Sequence, residues 1–219
     1  MFYDLAFSFW SQVSTEQAKL PGGTAFAHTD VPYYLSNAAW YPKIGELASV
    51  TEWYAARNLP PSLIVPSLRD DAVEQTLQDG PFMLEKSFHF RAAEANFDTA
   101  HIVEQVSWSQ SRYAAELLAN AYEQPDLSFA IAKSLTTALQ AEPKIQLFLA
   151  YGDKPVGTMV TFESEDVLSA MLLVGSDGSL ETRLVQEAES RGLNPLILEL
   201  LPDHTTLKSV RGLERWSIY

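Results

Sequence analysis

Hydrophobic and polar positions alternate along this chain in a way that predicts short helices and strands in turn. Phe2, Leu5, Phe9 and Val13 fall at helical spacing, so residues 2–17 are expected to form an amphipathic helix, stopped by Pro21-Gly22-Gly23. From Thr24 to Trp40 two extended runs, TAFAH and YYLSNAAW, flank Thr29-Asp30-Val31-Pro32 and predict a hairpin. Residues 46–57 read as a second helix, SLIVP as a short buried strand, and Asp70 to Gln78 as a third helix closed by Gly80. FMLEKSFHF, residues 82–90, alternates as a strand. The polar, Ala-rich segment RAAEANFDTAH (91–101) marks a boundary, and the chain is expected to form two units, 1–100 and 101–219.

The second half opens on a strand, HIVEQVSW, followed by two helices broken at Glu123-Gln124-Pro125. IQLFLAY and VGTMVTFE then alternate as strands around Gly152-Asp153-Lys154-Pro155, a hairpin turn by composition. VLSAMLLVG leads through Ser176-Asp177-Gly178-Ser179 into the helix LETRLVQEAESR, capped by Gly192. NPLILEL is a strand, HTTLKSVRG a short helix and LERWSIY a last strand. Both halves end in a similar helix–strand–helix–Gly–strand passage, so a tandem of related units is consistent with the pattern.

Composition narrows the function classes. Of the 219 residues 47% are hydrophobic and 20% charged, enough apolar material for a real core. With no cysteine there is no disulfide, thiolate zinc site or cysteine nucleophile, which fits a cytoplasmic setting. A net charge of −13, with a pI near 4.6, repels phosphate backbones, so direct nucleic-acid binding is not expected. The same charge suits a cationic amine, or simply solubility. MFYDLAFSFW lacks the basic start of a secretory signal, and no apolar run is long enough to span a bilayer. Histidines 28, 89, 101 and 204 are scattered singly, so no metal site is expected. The aromatic residues concentrated before residue 55 either line a groove or pack a core.

The element order of residues 101–219 resembles the GNAT superfamily of acetyl-CoA-dependent N-acetyltransferases. Gly152-Asp153-Lys154-Pro155-Val156-Gly157 resembles the family's hairpin, MLLVG with the following loop and helix resembles its cofactor motif, and Leu207-Lys208-Ser209-Val210-Arg211-Gly212-Leu213 resembles its penultimate helix. The resemblance implies an α/β fold with a mixed central sheet flanked by helices. It also implies acetyl-CoA as co-substrate and a small-molecule amine as acceptor. The pantetheine arm would lie along Met171, Leu172, Leu173 and Val174, and the pyrophosphate on Gly175, Ser176, Gly178, Ser179 and Leu180, where helix N–H groups favour an anion.

Two departures stand out. The family's Arg/Gln-x-x-Gly-x-Gly/Ala pattern falls on residues 176–181, where Ser176 replaces the basic start and Glu181 the last small residue. Asp177 and Glu181 therefore bring acids to the pyrophosphate position. The loop reads either as a surviving cofactor loop or as a turn and helix cap. The family's catalytic Tyr is matched by Lys208, which acts as a general acid only if its pKa is brought near the working pH. Glu104 and Glu163 are candidate bases, or outward-facing strand carboxylates. A catalytically inactive module binding a metabolite or protein is the alternative these departures leave open.

Overall fold

The computed structural model describes the chain except residues 1, 22, 32, 34, 41–46, 68, 70, 97, 98, 176 and 202–210. It divides into two compact units, residues 1–90 with 199–219, and residues 91–198.

In the first unit α1 (Phe2–Val13) buries Leu5, Phe9, Trp10 and Val13 along one stripe, as the spacing predicted. It stops four residues earlier than expected, because Glu16–Leu20 is not helix but β1, hairpinned antiparallel with β2 (Gly23–Ala27). The remaining elements are β3 (Ala39–Trp40), α2 (Ala48–Ala55), β4 (Ser62–Pro66), α3 (Asp71–Asp79) and β5 (Phe82–Ala92). Of YYLSNAAW, only Ala39–Trp40 is paired as strand. Phe9, Phe26, Trp40 and Tyr54 are wholly buried, with Tyr3 edge-on to Trp40 at 5.1 Å, so these aromatics are core. The Tyr54 hydroxyl donates to the Phe26 carbonyl at 2.8 Å, and burial pushes its pKa far up.

The second unit holds β6 (Ile102–Val106), α4 (Ser111–Ala121), α5 (Ser128–Ala141), β7 (Ile145–Tyr151), β8 (Pro155–Ser164), β9 (Val167–Val174), α6 (Ser179–Arg191) and the start of β10 (Asn194–Leu200). Its strands run in the order β6-β7-β8-β9-β10, antiparallel except for β9 with β10. That parallel pair needs a crossover, and α6 supplies it. Leu180, Leu184 and Ala188 of α6 pack on Phe148, Met159 and Ala170, forming one core layer. Alternation puts Leu147 and Leu149 on the other sheet face, where α4 and α5 pack.

The last strand, β11 (Gly212–Ile218), lies between β4 and β5, antiparallel to both, and so completes the first unit's sheet. The sequence expectation placed it with residues 101–219. Neighbours in sequence usually pair in space, and this strand departs from that rule. Both units also share a topology: β1-β2-β3-β4 and β7-β8-β9-β10 are each antiparallel, antiparallel, then parallel across a helix. The helix expected at HTTLKSVRG falls almost entirely outside the described residues.

Candidate functional site

The parallel ladder between β9 and β10 runs from Val167↔Asn194 to Ala170↔Ile197 and ends there. On its other side β9 stays paired with β8 up to Val174↔Thr158. The register slips between Val160↔Leu172 and Thr161↔Ala170, so Met171 is the extra residue of a β-bulge. A bulge bends its strand and increases local twist, and here it sits where the β10 ladder stops. Among the described residues, the backbone of Met171–Val174 is hydrogen-bonded on one side only. Its other row of N–H and C=O groups can pair with an extended ligand carrying amides.

The loop after β9 is short: Gly175–Gly178 lead directly into α6 at Ser179. Gly178 adopts φ 75°, a left-handed conformation that glycine takes at no steric cost, and a Cβ there would meet Asn96 at 3.4 Å. At Gly157 a Cβ would lie 2.9 Å from the Val174 carbonyl oxygen and 3.0 Å from Leu180 Cδ1. The space these glycines leave is therefore filled by the protein itself.

The two acids are equally committed. The Asp177 carboxylate accepts the Ser179 amide N–H at 3.0 Å and the Ser179 hydroxyl at 2.6 Å, and the Ala100 N–H at 3.3 Å. It also makes a close contact with His101 Nδ1. Glu181 takes a two-pronged bond from Arg91, at 2.6 and 3.0 Å, and the Glu94 N–H at 2.7 Å. Thr182 completes the set, accepting the Asn96 N–H at 2.9 Å and donating to the Asn96 carbonyl at 2.7 Å. Arg91, Glu94, Asn96, Ala100 and His101 thus bind the first turn of α6 and Asp177 just before it, and internal carboxylates occupy the donors there. Asp177 and Ser179 close a local hydrogen-bonded turn at the start of α6.

That arrangement tests the fit of acetyl-CoA in two parts. The open edge of Met171–Val174 suits the amide-bearing pantetheine arm. The start of α6 does not suit a pyrophosphate. A like charge about 5 Å from either carboxylate would meet a repulsion of about 3 kcal/mol at an effective dielectric constant of about 20. Arg91 and His101, the nearby cationic candidates, already face Glu181 and Asp177.

Burial alone would raise the Asp177 carboxyl, but the Ser179 hydroxyl and amide and the His101 ring outweigh it and hold it well below the usual carboxylate range. Burial likewise pushes the Glu181 carboxyl up, but Arg91 and the Glu94 amide outweigh it and lower its pKa. A carboxyl depressed in the folded state stabilises fully above its unfolded pKa, and that contribution drains as pH falls through the folded value. Asp177→Asn should therefore flatten the loss of stability between about pH 5 and pH 2 in chemical denaturation. Identical acid limbs in the parent and the variant would contradict this account of Asp177.

The structure does not bring the proposed bases together. Glu104, exposed on β6, shares a row with Leu149, Thr158 and Val174, three strand spacings or about 14 Å from β9. Glu163 lies at the opposite end of β8 from Thr158, about 16 Å along the strand, and is ion-paired with Arg191 at 2.8 Å. Lys208 and Ser176 lie outside the described residues. Arg91, Asn96 and His101, which shape the α6 end, belong to the segment that reads in sequence as a mere boundary. No periodicity links them to partners 76 to 90 positions away.

No family model matches the sequence, and no curated protein matches it. Solved structures do. A GCN5-related N-acetyltransferase from Kribbella flavida is 14% identical at a TM-score of 0.64, covering 100% of this chain and 95% of that one. A functionally unknown conserved protein from Staphylococcus epidermidis is 11% identical at 0.60, covering 93% and 92%. A conserved protein of unknown function from Bacteroides thetaiotaomicron is 7% identical at 0.50, covering 100% and 90%. At such identities the likeness is one of fold. The chain has the mixed α/β fold of the GCN5-related N-acetyltransferases, with the opening beside β9 and the Arg91–Glu181 pair at α6 as its local features.

Proposed function

We propose that this protein is a GNAT-type N-acyltransferase that moves an acyl group from a thioester to a small-molecule amine. The observation that carries the reading is the one-sided backbone of Met171–Val174, which offers an extended, amide-bearing donor a strand to pair with. A thioester supplies an activated carbonyl. The amine nitrogen attacks that carbon, the C–N bond forms as the C–S bond breaks, the thiolate takes a proton and the amine gives one to solvent. Glu104 and Glu163 both stand away from the opening, so this reading assigns no side-chain base. The net charge of −13 favours a cationic acceptor. Thiol release should appear when acetyl-CoA or acetyl-pantetheine is mixed with the protein and a panel of primary amines, polyamines included. The absence of amine-dependent release with either donor, together with no heat on titrating either at millimolar concentration, would end it.

A second reading, a non-catalytic module that binds a metabolite or protein, draws on Asp177 and Glu181 at the start of α6. Amine-dependent acylation by the unaltered protein would exclude it.

A further inference from the structure

Much of what could meet a coenzyme A diphosphate at the start of α6 is already engaged among the described residues. The Ser179 amide and hydroxyl both donate to Asp177. Arg91 is spent on Glu181, at 2.6 and 3.0 Å, and the His101 ring faces Asp177. The Glu94 and Ala100 amides, which could also face an anion, bind the same two carboxylates at 2.7 and 3.3 Å. Leu180 Cδ1 stands 3.0 Å from where a Cβ on either Gly157 or Gly175 would lie, so the gap between these two glycines is filled. A diphosphate arriving here would have to displace a bound carboxylate and sit beside a second one. None of this touches the open edge of Met171–Val174, which lies on the strand before the loop.

We propose that the donor of this site is a thioester recognised through its pantetheine arm alone, and that Asp177 and Glu181 exclude a diphosphate from the start of α6. The inference rests on the acyltransferase reading above and narrows its donor. A pantetheine thioester and the corresponding coenzyme A thioester are then equivalent to the protein, because the arm they share makes all the contacts. The nucleotide portion of coenzyme A contributes nothing to affinity. The internal carboxylates keep the fold's helix end intact while removing its usual anion preference.

The experiment uses the full chain and three titrants followed by calorimetry: pantetheine, coenzyme A, and the nucleotide portion of coenzyme A alone. Pantetheine and coenzyme A should bind with dissociation constants within about threefold of each other, and the nucleotide should give no heat. Acetyl-pantetheine and acetyl-CoA should then support transfer with kcat/KM values within the same margin. Coenzyme A binding more than about thirtyfold tighter than pantetheine, or measurable binding of the nucleotide alone, overturns the proposal while leaving the acyltransferase reading in place. Silence from pantetheine and coenzyme A alike, with no transfer from either thioester, overturns both.

Discussion

Arg69→Met is expected to destabilise the first unit by about 3–5 kcal/mol, the cost of removing one partner from a buried ion pair. The Arg69 guanidinium lies 2.7 Å from the carboxylate of Glu214 and 2.5 Å from that of Glu74. It also donates to the Pro66 carbonyl at 3.2 Å and stands over the Trp216 ring at 5.6 Å. Glu214 has no exposed surface, and the Trp216 indole N–H donates to it at 3.1 Å. Taking away the cation removes its compensation from a negative charge in a region of low dielectric. Adding Glu214→Leu should restore most of the loss, since a buried pair is often no more stabilising than apolar residues of like volume. Urea unfolding of the parent, both single variants and the double variant measures the coupling. A cost below about 1 kcal/mol for Arg69→Met would mean that the pair behaves as a solvated surface bridge.

The second large effect is expected at Gly157. Alanine there would place its Cβ 2.9 Å from the Val174 carbonyl oxygen and 3.4 Å from the Gly175 Cα. Both are backbone atoms and cannot rotate aside as a side chain would. The end of β9 must move away from β8, and the core of α6 with it, because Leu180 Cδ1 is also only 3.0 Å distant. Overpacking of this kind costs about 1–3 kcal/mol, which for a chain of this size lowers Tm by a few degrees per kcal/mol. Gly152→Ala is the matched control in the same hairpin, since its nearest neighbours stand at 3.7 Å, and it should be nearly neutral. If the two variants melt together, the close approach at Gly157 is not what sets the spacing of these strands.

Much of the second unit was legible in the sequence because its signals are local. The turn at Gly152–Pro155, the alternation of the strands around it and Gly192 at the end of α6 each act within a few residues. In the first unit, Glu16–Leu20 misled for a physical reason. Glu, Gln, Ala, Lys and Leu are all good helix formers, and pairing with β2 overrides that preference. At the site, sequence identified the strand Met171–Val174 and the acids at 177 and 181. It gave no account of their partners, because Arg91, Asn96 and His101 meet α6 only after the intervening strands and helices fold. The bulge at Met171 is likewise a matter of register, visible only once β8 is paired with β9.

The position of β11 bears on the order in which the molecule can form. The second unit is one continuous stretch, 91–198, whose strands mostly pair with neighbours a short turn away. The first unit cannot close its sheet from its own continuous segment, since the strand between β4 and β5 lies roughly 150 residues beyond the β4 residues it joins. Bringing together ends so far apart costs chain entropy before any contact rewards it, and such pairings are slow. Until β11 arrives, β4 and β5 present unpaired edges of the kind that recruit other chains. The ion pairs of Glu214 with Arg69 and of Arg215 with Glu85 form only when that distant strand is in register.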